Sequence, residues 1–213
     1  MEAKTEKVLL IPVPQFYMLV AFKGMKEVYG FSYEIDEYSR QEMIQMMHDM
    51  VKNGVLQIKN NRFVCGGEYE KALDYIRYAS EVVRIRLKGE RETACIGYMG
   101  ERIMAVRLSK NNKNNMLIRW KKREEFAEYL REEGDFECLW EEEPEQEQKF
   151  QTENTRLVLE RIYLPEQQIV RKLSVQVRNS RYRILYHDGT RDIDSGELGE
   201  LPQFIGYLLS EKE

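Results

Sequence analysis

The sequence predicts an α+β fold: an N-terminal winged-helix-like unit joined to an antiparallel sheet built from two βββα halves. Three observations predict it. Apolar residues recur at helical spacing through the first 80 residues and then alternate from Val82 onward. The alternation returns after residue 165, beyond an acidic stretch. The segment NGVLQIKNNRFVCGG (53–67) reads as strand, two-Asn turn and strand directly after a helical pattern, the order that ends a winged helix. The units implied are 1–80, helical and winged-helix-like; 81–134, a first sheet-plus-helix half; 135–154, an acidic linker; and 155–213, a second half.

The apolar run VLLIPVPQFYMLVAF (8–22) carries two prolines and falls short of the roughly 20 apolar residues that span a bilayer. It also lacks the small-residue cleavage site of a signal peptide. We read it as a short strand to Ile11 and then a core helix over about 14–28, entered through Pro14. Ser39 and Glu42 have the spacing of a capping box. Met43, Met46, Met47, Met50 and Val51 then share one helix face, closed by Asn53-Gly54. EYEKALDYIRYAS (68–80) repeats a helical stripe.

From Val82 the pieces VVRIRLKG, TACIGYMG and IMAVRLSK read as three short antiparallel strands, MLIRW as a fourth, and REEFAEYLREEG as a helix stopped by Gly134. TRLVLERIYL (155–164) is compatible with helix or strand, and we read it as helix. Two strands flank Asn179-Ser180, a third follows Asp188-Gly189, and ELPQFIGYLLSEK closes as a helix. The two halves share an order of elements and little residue identity.

Charge excludes more than it assigns. The net charge of −4 does not suit a general polyanion binder. Residues 1–90 hold 13 basic and 13 acidic side chains, too balanced for a winged helix that must contact phosphates. A DNA-binding regulator is therefore the alternative reading, not the first. Residues 102–123 hold eight basic side chains and no acid, and residues 124–153 hold thirteen acids. Neighbouring faces that neutralise each other account for this; an acidic partner segment on a basic surface is the sharper reading.

Catalytic chemistry is poorly supplied. His48 and His187 lie far apart, and the three cysteines (Cys65, Cys95, Cys138) contain no CxxC, as expected of reduced thiols in a cytoplasmic protein. No phosphate-binding loop, zinc motif or nucleophile elbow occurs. The chain reads as a non-enzyme, with no catalytic residue, no metal and no cofactor.

The stretches RQEMIQMMHDMVKNGVLQIKNNRFV (40–64) and YASEVVRIRL (78–87) resemble the corresponding helix–hairpin and helix-to-strand elements of the EspG family. The resemblance implies a cytosolic chaperone of type VII secretion that holds helical-hairpin substrates. The acidic insertion near 141–153 departs from that family's pattern.

Alternation also nominates a surface. Arg84 and Arg86 share one parity of VVRIRL, against Val83, Ile85 and Leu87; Arg183 falls on the Arg-bearing parity of RYRILY. With Arg107 they predict an arginine-lined sheet face, wet on one side. Met46 and Met50 on the Met-rich helix are the second candidate surface. Both suit a protein partner, an acidic or amphipathic helical segment, and allow a homodimer; neither suits a membrane or a nucleic acid.

Overall fold

The computed structural model describes residues 8–31, 38–87, 93–139, 155–178, 181–190 and 192–211. The acidic stretch 141–153 and the Asn179-Ser180 turn lie outside these residues. The architecture is mixed helix and strand around one large antiparallel sheet.

Strand β1 (Val8–Pro12) runs directly into helix α1 (Val13–Phe22), which has Pro14 in its first turn. Here the helix is shorter than the apolar run suggests. The chain turns at Gly24 (φ +72°) and reaches the Val28–Phe31 bridge, because that turn needs the left-handed region glycine provides. Helix α2 (Arg40–Lys52) carries the capping box: the Ser39 hydroxyl accepts from the Glu42 N–H at 3.3 Å, and the Ser39 N–H donates to Glu42 Oε2 at 2.8 Å. Strands β2 (Leu56–Lys59) and β3 (Arg62–Cys65) form a hairpin whose two turn residues, Asn60 and Asn61, both have positive φ, as a type I′ turn requires. Helix α3 (Gly67–Tyr78) completes the N-terminal part.

The sheet follows. Strands β4 (Glu81–Leu87), β5 (Cys95–Met99), β6 (Ile103–Leu108) and β7 (Asn115–Lys121) form a meander, and helix α4 (Phe126–Glu132) follows them. Strands β8 (Thr155–Tyr163), β9 (Gln168–Arg178), β10 (Arg181–His187) and β11 (Asp192–Ser195) form a second meander before helix α5 (Leu201–Leu209). β4 and β8 pair antiparallel at the centre, so the nine strands run in the order β1-β7-β6-β5-β4-β8-β9-β10-β11.

The helix reading of 155–164 is corrected: the segment is β8. As a central strand it buries both faces, with Leu157 and Leu159 in one core and Ile162 in the other. Burial on both sides erases the period-two signal in the sequence. The second meander accordingly holds four strands before its helix, one more than the sequence assigned to that half, while MLIRW is the fourth strand, β7, of the first.

One face of the sheet is covered by α4 and α5. Phe126, Tyr129 and Leu130 pack with Phe204, Ile205 and Leu208 over Val83, Ile85, Leu159, Leu173 and Ile184. Two buried arginines of that face, Arg161 and Arg171, anchor the end of α5. Arg161 donates to the Leu208 carbonyl at 3.2 Å, and Arg171 to those of Tyr207 and Ser210 at 2.6 Å each. Cations at a helix C-terminus satisfy the open carbonyls and complement the helix dipole. On the opposite face, α1 and α3 cover only one wing, over Ile11, Val82, Ile96, Tyr98, Val106 and Ile118.

Burial pushes the Cys95 thiol from its ordinary 9.0 and the Tyr17 phenol from 10.0 up to about 12. Each group holds its proton more tightly folded than unfolded, so its contribution to stability is fully present below its ordinary value and is lost as pH rises toward about 12. We expect the melting temperature to fall steeply above about pH 9, and Cys95 to resist iodoacetamide in the native protein while half-buried Cys65 reacts more readily. Flat stability from neutral pH to about pH 11 would contradict the burial of both groups.

Candidate charged sheet face

Cα partners in an antiparallel pair project to the same side of the sheet. Following partners from β7 to β11 gives the row Ile118, Val106, Ile96, Arg84, Glu160, Lys172, His187, Asp192. The row begins under the N-terminal helices as three buried aliphatic residues. At β4 it becomes charged, and five successive strands contribute an ionisable side chain. The next row, Arg86, Val158, Ser174, Leu185, Asp194, lies beside it. Arg84, Arg86, Val158, Lys172, Ser174, Leu185 and His187 are half-exposed or exposed, which defines an open region on the face that α4 and α5 do not cover.

Glu160 is the centre of this region. It is 2 % exposed. Arg84 donates through Nε at 3.0 Å and Nη2 at 2.7 Å to its Oε2, Arg86 Nη2 donates to Oε1 at 2.9 Å, and Lys172 Nζ lies 3.9 Å from Oε1. Three cations thus meet one carboxylate, so the cluster is net positive. The two arginines hold a buried anion between them, with their own side chains 26 % and 40 % exposed. Further out the pairs are balanced. Arg183 Nε and Nη2 donate to Asp194 Oδ2 at 2.9 and 2.7 Å, and these hydrogen bonds hold the guanidinium above its ordinary range. His187 Nδ1 lies 2.8 Å from Asp192 Oδ1, both side chains exposed. The His187 side chain is 54 % exposed on the sheet.

The structure brings Arg84 and Arg86 together around Glu160 and places Arg183 on the same face, three strands away, where it pairs with Asp194. Arg107 is corrected. It lies on the helix-covered face, 2 % exposed, with Nη1 and Nη2 each 2.8 Å from the two oxygens of fully buried Asp135. Arg107 pairs across the sheet with Leu117, and its parity with Ala105 and Ile103 turns it toward α4. Met50 is corrected too: it is fully buried, packed with α1 and α3, so it is core and not surface. Met46 is half-buried on the same stripe. Arg84 and Arg86 are not free surface charges either, since both bind Glu160.

Glu160 and Lys172 were missed. The available signal was a lone carboxylate inside the apolar run LVLERIY, which predicts a buried charge that must find a partner. The basic run 102–123 is neutralised within the fold where its partners are described: Arg107 and Lys110 by Asp135, Arg119 by Glu133 and Lys122 by Glu125. Among the described residues no cluster of three or more His, Cys, Asp or Glu could hold a metal ion, and no helix is long and apolar enough to cross a membrane. No family model matches the chain, and no curated protein matches it.

Proposed function

We propose that this chain is a non-enzymatic, cytoplasmic protein-binding adaptor or chaperone that receives an acidic or amphipathic helical partner on the open sheet face. The observation that carries the reading is the net-positive cluster of Arg84, Arg86 and Lys172 around Glu160 on that face. A partner carboxylate approaching Arg86 or Lys172 meets a cation already held in place by a buried anion, which favours charge-complementary association and partner choice. The type VII secretion setting follows from the resemblance to the EspG family. The paired-halves reading is supported by two meanders, each followed by a helix, that meet at β4 and β8. The winged-helix-like reading of the N-terminal part is supported by the order α1, α2, hairpin and α3.

The test uses Arg86→Gln, Lys172→Gln and Arg183→Gln together, which removes three half-exposed cations and leaves Arg84 to hold Glu160. A fluorescein-labelled helical peptide with a glutamate-rich face is titrated and followed by anisotropy. We expect wild-type binding to weaken as salt rises, and the triple variant to lose about tenfold or more in affinity with its melting temperature nearly unchanged. Equal binding by variant and wild type would place the surface elsewhere. Retention of duplex DNA in a mobility shift at about 50 mM salt, lost at higher salt, would instead favour the DNA-binding reading.

A further inference from the structure

A cleft of about 740 Å³ lies beside the charged row, bounded by residues 25–31, the end of α3, β5 and the β8–β9 turn. Its lining includes Val28, Tyr29, Phe31, Ile76, Tyr98 and Leu164, with Lys26, Glu27 and Arg77 also contributing. Three features show that it is a built wall. Gly30 has φ +79°, and a Cβ there would fall 2.7 Å from Ile96 Cδ1, so only glycine lets the 25–31 segment press this closely on the sheet. Backbone bonds hold that segment, from Met25 N–H to the Val20 carbonyl and from Phe31 N–H to the Val28 carbonyl, both 3.1 Å. On the other side the Leu164 N–H donates to the Ser80 carbonyl at 2.9 Å, and the turn ends in Gln167 with φ +50°.

The cleft and the charged row meet at one contact. Tyr29 lines the cleft, and the Arg84 guanidinium sits over its ring at 5.9 Å from the centroid. A ligand in the cleft therefore lies next to the first cation of the row. Among the described lining residues, Lys26 and Arg77 add positive charge at the cleft against the carboxylate of Glu27.

We propose that this cleft takes one bulky apolar side chain, aromatic or long aliphatic, from the same acidic helical partner whose carboxylates meet Arg86 and Lys172. The inference rests on the adaptor reading and specifies how the partner is held. Spacing supports it. Adjacent strands lie about 4.8 Å apart, so Arg84 on β4 and Lys172 on β9 are separated by about 10 Å. Residues seven apart on a helix rise about 10.5 Å, and residues four apart about 6 Å. A helix laid across β4, β8 and β9 with its anchor in the cleft thus brings one carboxylate about four positions along over the arginines of β4, and a second about seven positions beyond that over Lys172. The recognised feature is one apolar anchor followed by acids on the same helix face.

The experiment compares two labelled helical peptides of identical glutamate-rich sequence, one with phenylalanine at the anchor position and one with alanine, titrated into the full chain. On the wild type, phenylalanine should tighten binding about tenfold or more. Leu164→Arg and, as a second variant, Tyr29→Ala should each erase that advantage while leaving the alanine peptide's weaker binding in place. Circular dichroism and melting check that each variant is folded. If both peptides bind the wild type equally and both remain sensitive to salt and to the three glutamine substitutions, the cleft inference is overturned and the charged face stands. If neither peptide binds, the adaptor reading itself fails and takes this inference with it. If phenylalanine tightens binding equally in both folded variants, its contact lies outside the cleft.

Discussion

Asp135→Ala is expected to lower the unfolding free energy by about 3–5 kcal/mol, read as a drop in the urea midpoint. Asp135 is fully buried between the end of α4 and the sheet, and its N–H donates to the Leu130 carbonyl at 2.9 Å. Its carboxylate takes both terminal nitrogens of Arg107 and lies 3.4 Å from Lys110 Nζ. Burial lowers the Arg107 pKa, while the hydrogen bonds and charge of Asp135 raise it overall; with Asp135 deleted the guanidinium still stays charged, because its ordinary value lies far above neutral pH. Removing the aspartate leaves the buried guanidinium without its two short hydrogen bonds, facing only Glu133 at 4.0 Å, which Arg119 already engages, and that penalty exceeds the worth of the lost bonds. Arg107→Leu combined with Asp135→Leu should cost less than Asp135→Ala alone, because no orphan charge remains. A single variant that loses less than about 1 kcal/mol would mean that water reaches the pair.

The second large effect concerns Arg84→Glu with Arg86→Glu. Charge reversal at these two positions is expected to cost about 2–4 kcal/mol, and not to leave the fold intact as their strand parity alone suggests. Glu160 takes its hydrogen bonds from both arginines, at 2.7–3.0 Å, and after reversal would face two further carboxylates with Lys172 as the nearest remaining cation. Because both arginines are partly exposed, water and side-chain movement screen some of the repulsion, which places the cost below that of the Asp135 change. Adding Glu160→Gln to the double variant should recover much of the loss. A double variant that melts with the wild type would show that Glu160 does not depend on these partners. This coupling is why the binding test neutralises Arg86, Lys172 and Arg183 and spares Arg84.

Features whose causes are local are legible in the residues alone. Ser39 and Glu42 close their own cap, Asn60-Asn61 turns its own hairpin, and Gly134 takes a left-handed φ of +71° just beyond α4. The switch of period at Val82 is also local, since a half-buried strand imposes alternation on its own residues. Parity separated Arg84 and Arg86 from Val83 and Ile85, and the structure keeps them on opposite faces. What parity could not supply was the partner across each strand. Arg107 alternates as cleanly as Arg84, yet one is buried against Asp135 and the other opens onto the charged row. Only the pairing of β4 with β5 and β8, and of β6 with β5 and β7, fixes which face each arginine shares. The same non-local pairing hid β8, because a strand enclosed by β4 and β9 buries charged and apolar residues on both faces, Arg161 on one and Arg156 and Glu160 on the other, so neither parity announces its period. It also made the candidate site. Glu160 and Lys172 sit 12 positions apart in the chain, and Arg84 lies 76 positions before Glu160. They become neighbours because antiparallel strands bring residues distant in sequence to within about 5 Å of each other, a relation carried by the folded sheet.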